Sequence, residues 1–137
     1  MKLYNLIMVV NQNETEVLMC HRAKNPYKGL YNLLGGKVEH GEDMLESAYR
    51  ELFEESGISR NDITLIPFID YKWYPADMAM NVFVGKLDKE VELIEEVNEL
   101  LWLDINTDFF DMKRFAGEGN IGHMMEIYRL YKNTMFK

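Results

Sequence analysis

Residues 35–58 read GGKVEHGEDMLESAYRELFEESGI, and they constrain the chain more than any other stretch. Asp43 is placed to cap a helix, and Glu46 three residues later completes the capping-box pattern. Leu45, Ala48, Tyr49, Leu52 and Phe53 then recur at helical spacing, so one face of residues 43–56 is predicted to meet a core. Gly57 supplies the left-handed stop. Glu51, Glu54 and Glu55 stand at i, i+3 and i+4 and share another face. Like charges so placed destabilise a helix unless something offsets them. Two readings are open. The face is solvated, with Glu46 and Arg50 forming an ordinary i, i+4 pair. Alternatively, the carboxylates hold a hard divalent cation, for which grouped oxygen ligands suit Mg²⁺ or Mn²⁺. The glycine pair ahead of the helix favours the second reading, because Gly35 and Gly36 let backbone approach an ion or ligand closely.

The rest of the chain reads as alternating strands with one more helix. Leu3–Val10 and Thr15–His21 are predicted strands joined by the turn NQNE, a hairpin pattern. Residues 22–31 form a loop carrying Arg22, Lys24 and Lys28, and Asn32–Leu34 is a short extended piece. Further strands are expected over Ile63–Ile69, with a possible continuation to Tyr74, and over Met80–Leu87 and Leu100–Ile105. NTDFFDMKRF is expected to hold a short helical turn. Ile121–Asn133 is predicted as an amphipathic helix with Met124, Ile127, Tyr128 and Tyr131 on its core face. Helices and strands mix without a regular βαβ alternation, so the fold class is α+β. A length of 137 residues suits a single domain over 1–137.

Composition narrows the function classes. A hydrophobic fraction of 47% with 28% charged residues is that of a globular chain. No apolar run reaches the length of a membrane span. The apolar N-terminal run ends at Asn11 without a small-residue cleavage site and reads as a strand, not a leader. A net charge of −8 argues against nucleic acid as a partner but not against a small phosphorylated substrate, because bound cations reverse the local sign. The lone Cys20, inside an apolar alternation, reads as a core thiol, and a cytoplasmic location is expected.

With those residues in hand, the chain resembles the Nudix hydrolases, whose signature is G-x5-E-x7-R-E-U-x-E-E-x-G-U with U a bulky apolar residue. Gly36, Glu42, Arg50, Glu51, Leu52, Glu54, Glu55, Gly57 and Ile58 fill every fixed position. The resemblance implies an α/β/α sandwich with a mixed central sheet and a loop–helix–loop catalytic motif. It implies that Glu51, Glu54 and Glu55 hold Mg²⁺ together with the carbonyl of Gly35, and that Arg50 orients the glutamates. Glu42 would hold Arg50, while Gly36 and Gly57 would shape the motif. Metal-bound water would attack a phosphorus, with a carboxylate taking the proton.

MutT-type members, which hydrolyse nucleoside triphosphates, are closest in layout. By that resemblance Glu96, six residues before Trp102, is a further ligand or general base, with Glu95 and Glu99 as rivals and a plain surface charge run as the alternative. Arg22 would grip phosphate. Asn120 and Glu118 would read a base, although Asn120 also suits a helix N-cap. Trp73, Tyr74 and Phe83 are stacking candidates that also suit a core, and His123 is expected to be structural or on the surface. Two departures matter. Leu33 and Leu34 stand where many relatives carry an aromatic and a proline, and Asp77 stands where one subgroup carries an arginine. The expected reaction is cleavage of a nucleoside 5′-triphosphate to the monophosphate and pyrophosphate, with oxidised purine nucleotides such as 8-oxo-dGTP among the candidates. Other nucleoside-diphosphate-linked substrates (ADP-ribose, a nucleotide sugar, a dinucleotide) form the alternative. A nucleotide-binding sensor ranks last, because the carboxylate box is intact.

Overall fold

The computed structural model describes residues 1–136. Its centre is β1 (Lys2–Val10), whose residues Leu6–Val10 are all buried. A strand buried on both faces is a continuous apolar run, and β1 divides its side chains between two cores. Leu6, Met8 and Val10 face one, and Ile7 and Val9 face the other. β1 runs parallel to β5 (Met78–Lys86), which pairs antiparallel with β4 (Ile66–Trp73) at the sheet edge.

The expected hairpin is splayed. β2 (Glu16–His21) meets β1 in register only at Val10↔Val17, beside the turn. It then pairs with β6 (Glu99–Asp104) on one side and β3 (Tyr31–Asn32) on the other. The edge of β1 that β2 leaves free is taken by residues 34–38. Ile7 N donates to the Leu34 carbonyl and Asn5 N to the Gly36 carbonyl, both at 2.8 Å, and Val38 N donates to the Leu3 carbonyl at 2.9 Å. This ladder fixes the glycine pair against the central strand.

One helix covers each face, giving the α/β/α sandwich. α1 (Met44–Ser56) buries Ala48 and Leu52 against Ile7, Leu18, Leu34, Ile63 and Phe83. α2 (Asn120–Met135) buries Ile121, Met124, Met125 and Tyr128 against Met8, Val10, Leu33 and Val84. Cys20 is buried and unpaired, and burial pushes its thiol up to about 11, consistent with a core role.

Several sequence expectations need correction. Phe53 and Tyr131 are exposed, because each sits at the margin of its helical stripe. In α2 the buried stripe is i, i+3, i+4, i+7 from Ile121, and Ile127 is only half-buried. β4 starts at Ile66, not Ile63, because Leu65 N donates to the Tyr49 hydroxyl at 2.8 Å and ties that backbone to α1. β5 begins two residues before Met80, and the helical turn expected over 106–115 is a single one, Phe115 N donating to the Asp111 carbonyl at 2.9 Å. Asp43 caps α1, accepting from Leu45 N and Glu46 N at 3.1 Å, but the Glu46 carboxylate pairs with Arg60 at 2.6 Å. The helix cap is therefore formed by Asp43 alone.

Candidate active site

One side chain of β1 pins the glycine pair. Asn5, buried in the middle of β1, donates to the Ser47 hydroxyl at 2.9 Å, and its side-chain oxygen accepts from Gly36 N at 3.0 Å. One amide thereby joins β1, the glycine loop and α1. Gly35 has φ 151°, and a Cβ there would lie 2.1 Å from the Asn5 carbonyl oxygen. At Gly36 an added Cβ would sit 2.6–2.8 Å from the Glu51 carboxylate. Gly35 is thus required by close approach to backbone, while a side chain at Gly36 would displace the Glu51 carboxylate. Gly57, at φ 79°, closes α1 through its N–H to the Phe53 carbonyl.

Arg50 organises the helix face. Its Nε donates to Glu42 Oε2 at 2.7 Å and its Nη2 to Glu42 Oε1 at 3.0 Å. This forked pair is the geometry a guanidinium is built for. The Arg50 hydrogen bonds are the main reason the Glu42 carboxyl falls to about 2. The same guanidinium reaches Glu51 at 3.1 Å and Glu54 at 3.3 Å. Glu46 points to Arg60 instead, so the i, i+4 pair of the solvated-face reading is not formed.

Glu51 and Glu55 form a partly buried carboxyl pair. Burial raises both, and the charge of Glu51 adds to the effect on Glu55, whose carboxyl is pushed up to about 8. Gly35 N donates to Glu55 Oε1 at 3.2 Å and pulls modestly the other way. No cationic side chain contacts Glu55 among the described residues. Glu54 lies on the same face but half exposed. Among the described residues no three such groups converge on one point. The donor set nonetheless fits a hard divalent cation: two crowded carboxyls raised by burial and by a neighbouring carboxylate, Glu54 for Glu51 and Glu51 for Glu55, and an arginine holding their orientation. Such an ion, when bound, polarises a phosphoryl oxygen and activates water. The chain itself contributes the fixed carboxylates, the Glu42–Arg50 brace and the close backbone of Gly35.

Glu96 lies in the irregular segment between β5 and β6, exposed, yet near enough for its charge to raise Glu55. Of its rivals, Glu95 is held by backbone and Glu99 stands exposed beside His21. Glu95 Oε2 accepts from Leu100 N at 2.7 Å, and Glu99 sits 4.0 Å from His21 Nδ1.

A cleft of about 480 Å³ opens from Gly35, Gly36 and Glu55. Its polar lining includes Arg22, Asn32, Glu118 and Asn120, and its apolar lining Leu33, Trp73, Met80 and Met124. The structure therefore gathers Arg22, Glu118 and Asn120 with the carboxylate end, and keeps Trp73 as a stacking candidate. Arg22 Nε donates to the Pro26 carbonyl at 3.2 Å. Asn120 is not the N-cap of α2. Gly119 holds that position, with no side-chain cap, and Asn120 opens the helix. Tyr74 is 75% exposed and lies off the cleft, whereas Phe83 is core beneath α1. His123 Nδ1 lies 2.7 Å from the Tyr71 hydroxyl on the surface. Asp77 sits in the β4–β5 turn, 3.7 Å from the N-terminal ammonium.

Sequence reasoning missed Asn5, Tyr27 and Asn32. Only Asn5 had a signal, as a polar residue interrupting an apolar central strand.

Sequence comparison gives the class to which this fold and carboxylate face belong. The family model described as NUDIX domain matches residues 1–115, and the chain belongs to this family.

Among curated proteins, an oxidized purine nucleoside triphosphate hydrolase of Danio rerio is 31% identical over 107 residues, covering 77% of this chain and 67% of that protein. The Mus musculus protein of the same description is 31% identical over 87 residues, which cover 64% of this chain. That match spans only about half, 54%, of the mouse protein's length. Among solved structures, a MutT from work on Aliivibrio salmonicida and Vibrio cholerae superposes with TM-score 0.73 at 19% identity, covering 94% of this chain and 98% of that one. A Caenorhabditis elegans Ap4A hydrolase gives TM-score 0.76 at 17% identity, covering 96% and 98%.

Proposed function

We propose that this chain is a Mg²⁺-dependent pyrophosphohydrolase that cleaves nucleoside 5′-triphosphates, oxidised purine nucleotides among them, to the monophosphate and pyrophosphate. One observation carries the reading: a single cleft runs from the glycine pair and Glu55 to Asn32, Glu118 and Asn120. Its volume lies in the range of small-ligand sites. Phosphates at the first end meet the carboxylates and their cation, Arg22 adds positive charge, and a base at the second end meets Trp73 and polar side chains. Glu51, Glu54, Glu55 and the Gly35 carbonyl hold the ion, with Mn²⁺ as a substitute. Glu96 is a further ligand or the proton acceptor. The oxidised-purine descriptions of the curated relatives support the choice of triphosphates.

The test is a substrate panel with Mg²⁺, separating pyrophosphate from phosphate release. Triphosphates, including 8-oxo-dGTP, are expected to give monophosphate plus pyrophosphate. Faster turnover of ADP-ribose, a nucleotide sugar or a dinucleotide would transfer the assignment to that class.

A further inference from the structure

Two loops face each other over the base end of the cleft, and one contact joins their tips. The Tyr27 hydroxyl donates to the Glu118 carboxylate, 3.0 Å from Oε1 and 2.9 Å from Oε2, across 91 positions of sequence. Both residues line the cleft. Both also take left-handed backbone, Tyr27 at φ 66° and Glu118 at φ 52°, a conformation uncommon outside glycine. The loops are anchored at their bases as well. Arg22 N donates to the Leu30 carbonyl at 2.9 Å, closing the first loop. Tyr31 N donates to the Arg114 carbonyl at 2.8 Å and Ala116 N to the Tyr31 carbonyl at 2.9 Å, tying the root of the second loop to β3. Gly117 and Gly119, both at positive φ, flank Glu118 in the turn that presents it to the cleft.

We infer that Tyr27 is a positioning residue for base selection: its hydroxyl fixes the Glu118 carboxylate as a hydrogen-bond acceptor at the base end of the cleft. One phenolic proton spread over two oxygens leaves most of the carboxylate's lone pairs unused. A fixed carboxylate acceptor selects bases that present N–H groups on one edge. A guanine-type edge offers an imino N–H beside an exocyclic amine, whereas an adenine-type edge puts a ring acceptor beside its amine. Burial and the Glu118 hydrogen bond raise the Tyr27 phenol, so it stays a donor at neutral pH. The inference rests on the triphosphate reading above.

The experiment compares wild type, Tyr27→Phe, Glu118→Gln and the double variant with GTP and ATP in Mg²⁺. Wild type is expected to prefer GTP. Tyr27→Phe should raise KM for GTP roughly 10-fold, the scale of one hydrogen bond to a charged group, with kcat nearly unchanged and KM for ATP little affected. The double variant should match Glu118→Gln alone, because Tyr27 acts only through Glu118. Equal changes for both nucleotides, additive losses in the double variant, or a wild type without base preference would each overturn the role of Tyr27 while leaving the hydrolase reading standing. A wild type that turns over no triphosphate, yet cleaves another nucleotide, would overturn the triphosphate reading and this inference with it.

Discussion

The two ends of the cleft are built in opposite ways. The carboxylate end comes mainly from one continuous stretch, Gly35–Ile58, in which helical periodicity places Glu51, Glu54 and Glu55 and the Glu42–Arg50 brace spans eight positions. The base end is assembled from three distant segments around residues 22–33, 73–80 and 117–124, joined by contacts such as Tyr27–Glu118. The first is rigid local geometry suited to fixed chemistry. The second rests on loops whose side chains can change without disturbing the first, so selection can vary while hydrolysis is retained. Changes at the carboxylate end should therefore act on kcat, and changes at the base end on KM and on substrate choice.

The largest effect is expected at Glu54 and Glu55. Replacing either with Gln should lower kcat by roughly 10³–10⁴-fold, the upper part of the range for a lost catalytic carboxylate, with the circular dichroism spectrum unchanged. Near-normal turnover in both variants would remove the distinction between the two ends. Next comes Glu96. Glu96→Gln at saturating Mg²⁺ should cost about 10²-fold in kcat. Glu99→Gln should cost far less. Glu95→Ala should instead lower stability, by about 1 kcal/mol for the freed Leu100 N–H, visible as an earlier thermal midpoint.

Arg50→Lys sharpens the comparison from within the box. Lysine keeps the charge but not the fork that grips Glu42 while touching Glu51 and Glu54. A loss of roughly 10–100-fold is expected for such an orienting partner. A silent substitution would return the helix face to simple solvation.

The smallest effect is on stability against pH. The Glu55 carboxyl is raised from the ordinary 4.5 to about 8, first by burial and then by Glu51. Between those values the folded chain binds more protons than the unfolded one, so metal-free protein should lose stability as pH rises through that window. Glu55→Gln should flatten this slope. The Glu42 contribution has the opposite sign: it is complete above 4.5 and is lost only as pH falls towards about 2.

How much was legible in the sequence follows the same division. The box residues, the Asp43 cap and the Gly57 stop were readable because their geometry is set within a few turns of one helix. The strands and helices were readable from the apolar runs of β1 and β2 and the stripes of α1 and α2, and the sandwich came with the family resemblance. The splayed β1–β2 pair was not, because only the intruding 34–38 segment shows that β2 must leave. Tyr74 and Phe83 were offered beside Trp73 as stacking candidates, yet strand pairing sends one to solvent and one to the core. Tyr27 carried no signal at all, since its partner lies 91 positions away.

The central claim is that the Glu51–Glu55 pair exists to bind a divalent cation. Mn²⁺ binding without substrate, followed by loss of the free-ion paramagnetic resonance signal near neutral pH, tests it directly. Wild type should deplete the free Mn²⁺ signal, whereas Glu51→Gln and Glu55→Gln at the same concentrations should leave it nearly intact and Glu118→Gln should behave as wild type. Equal depletion by wild type and both carboxylate variants would contradict the account.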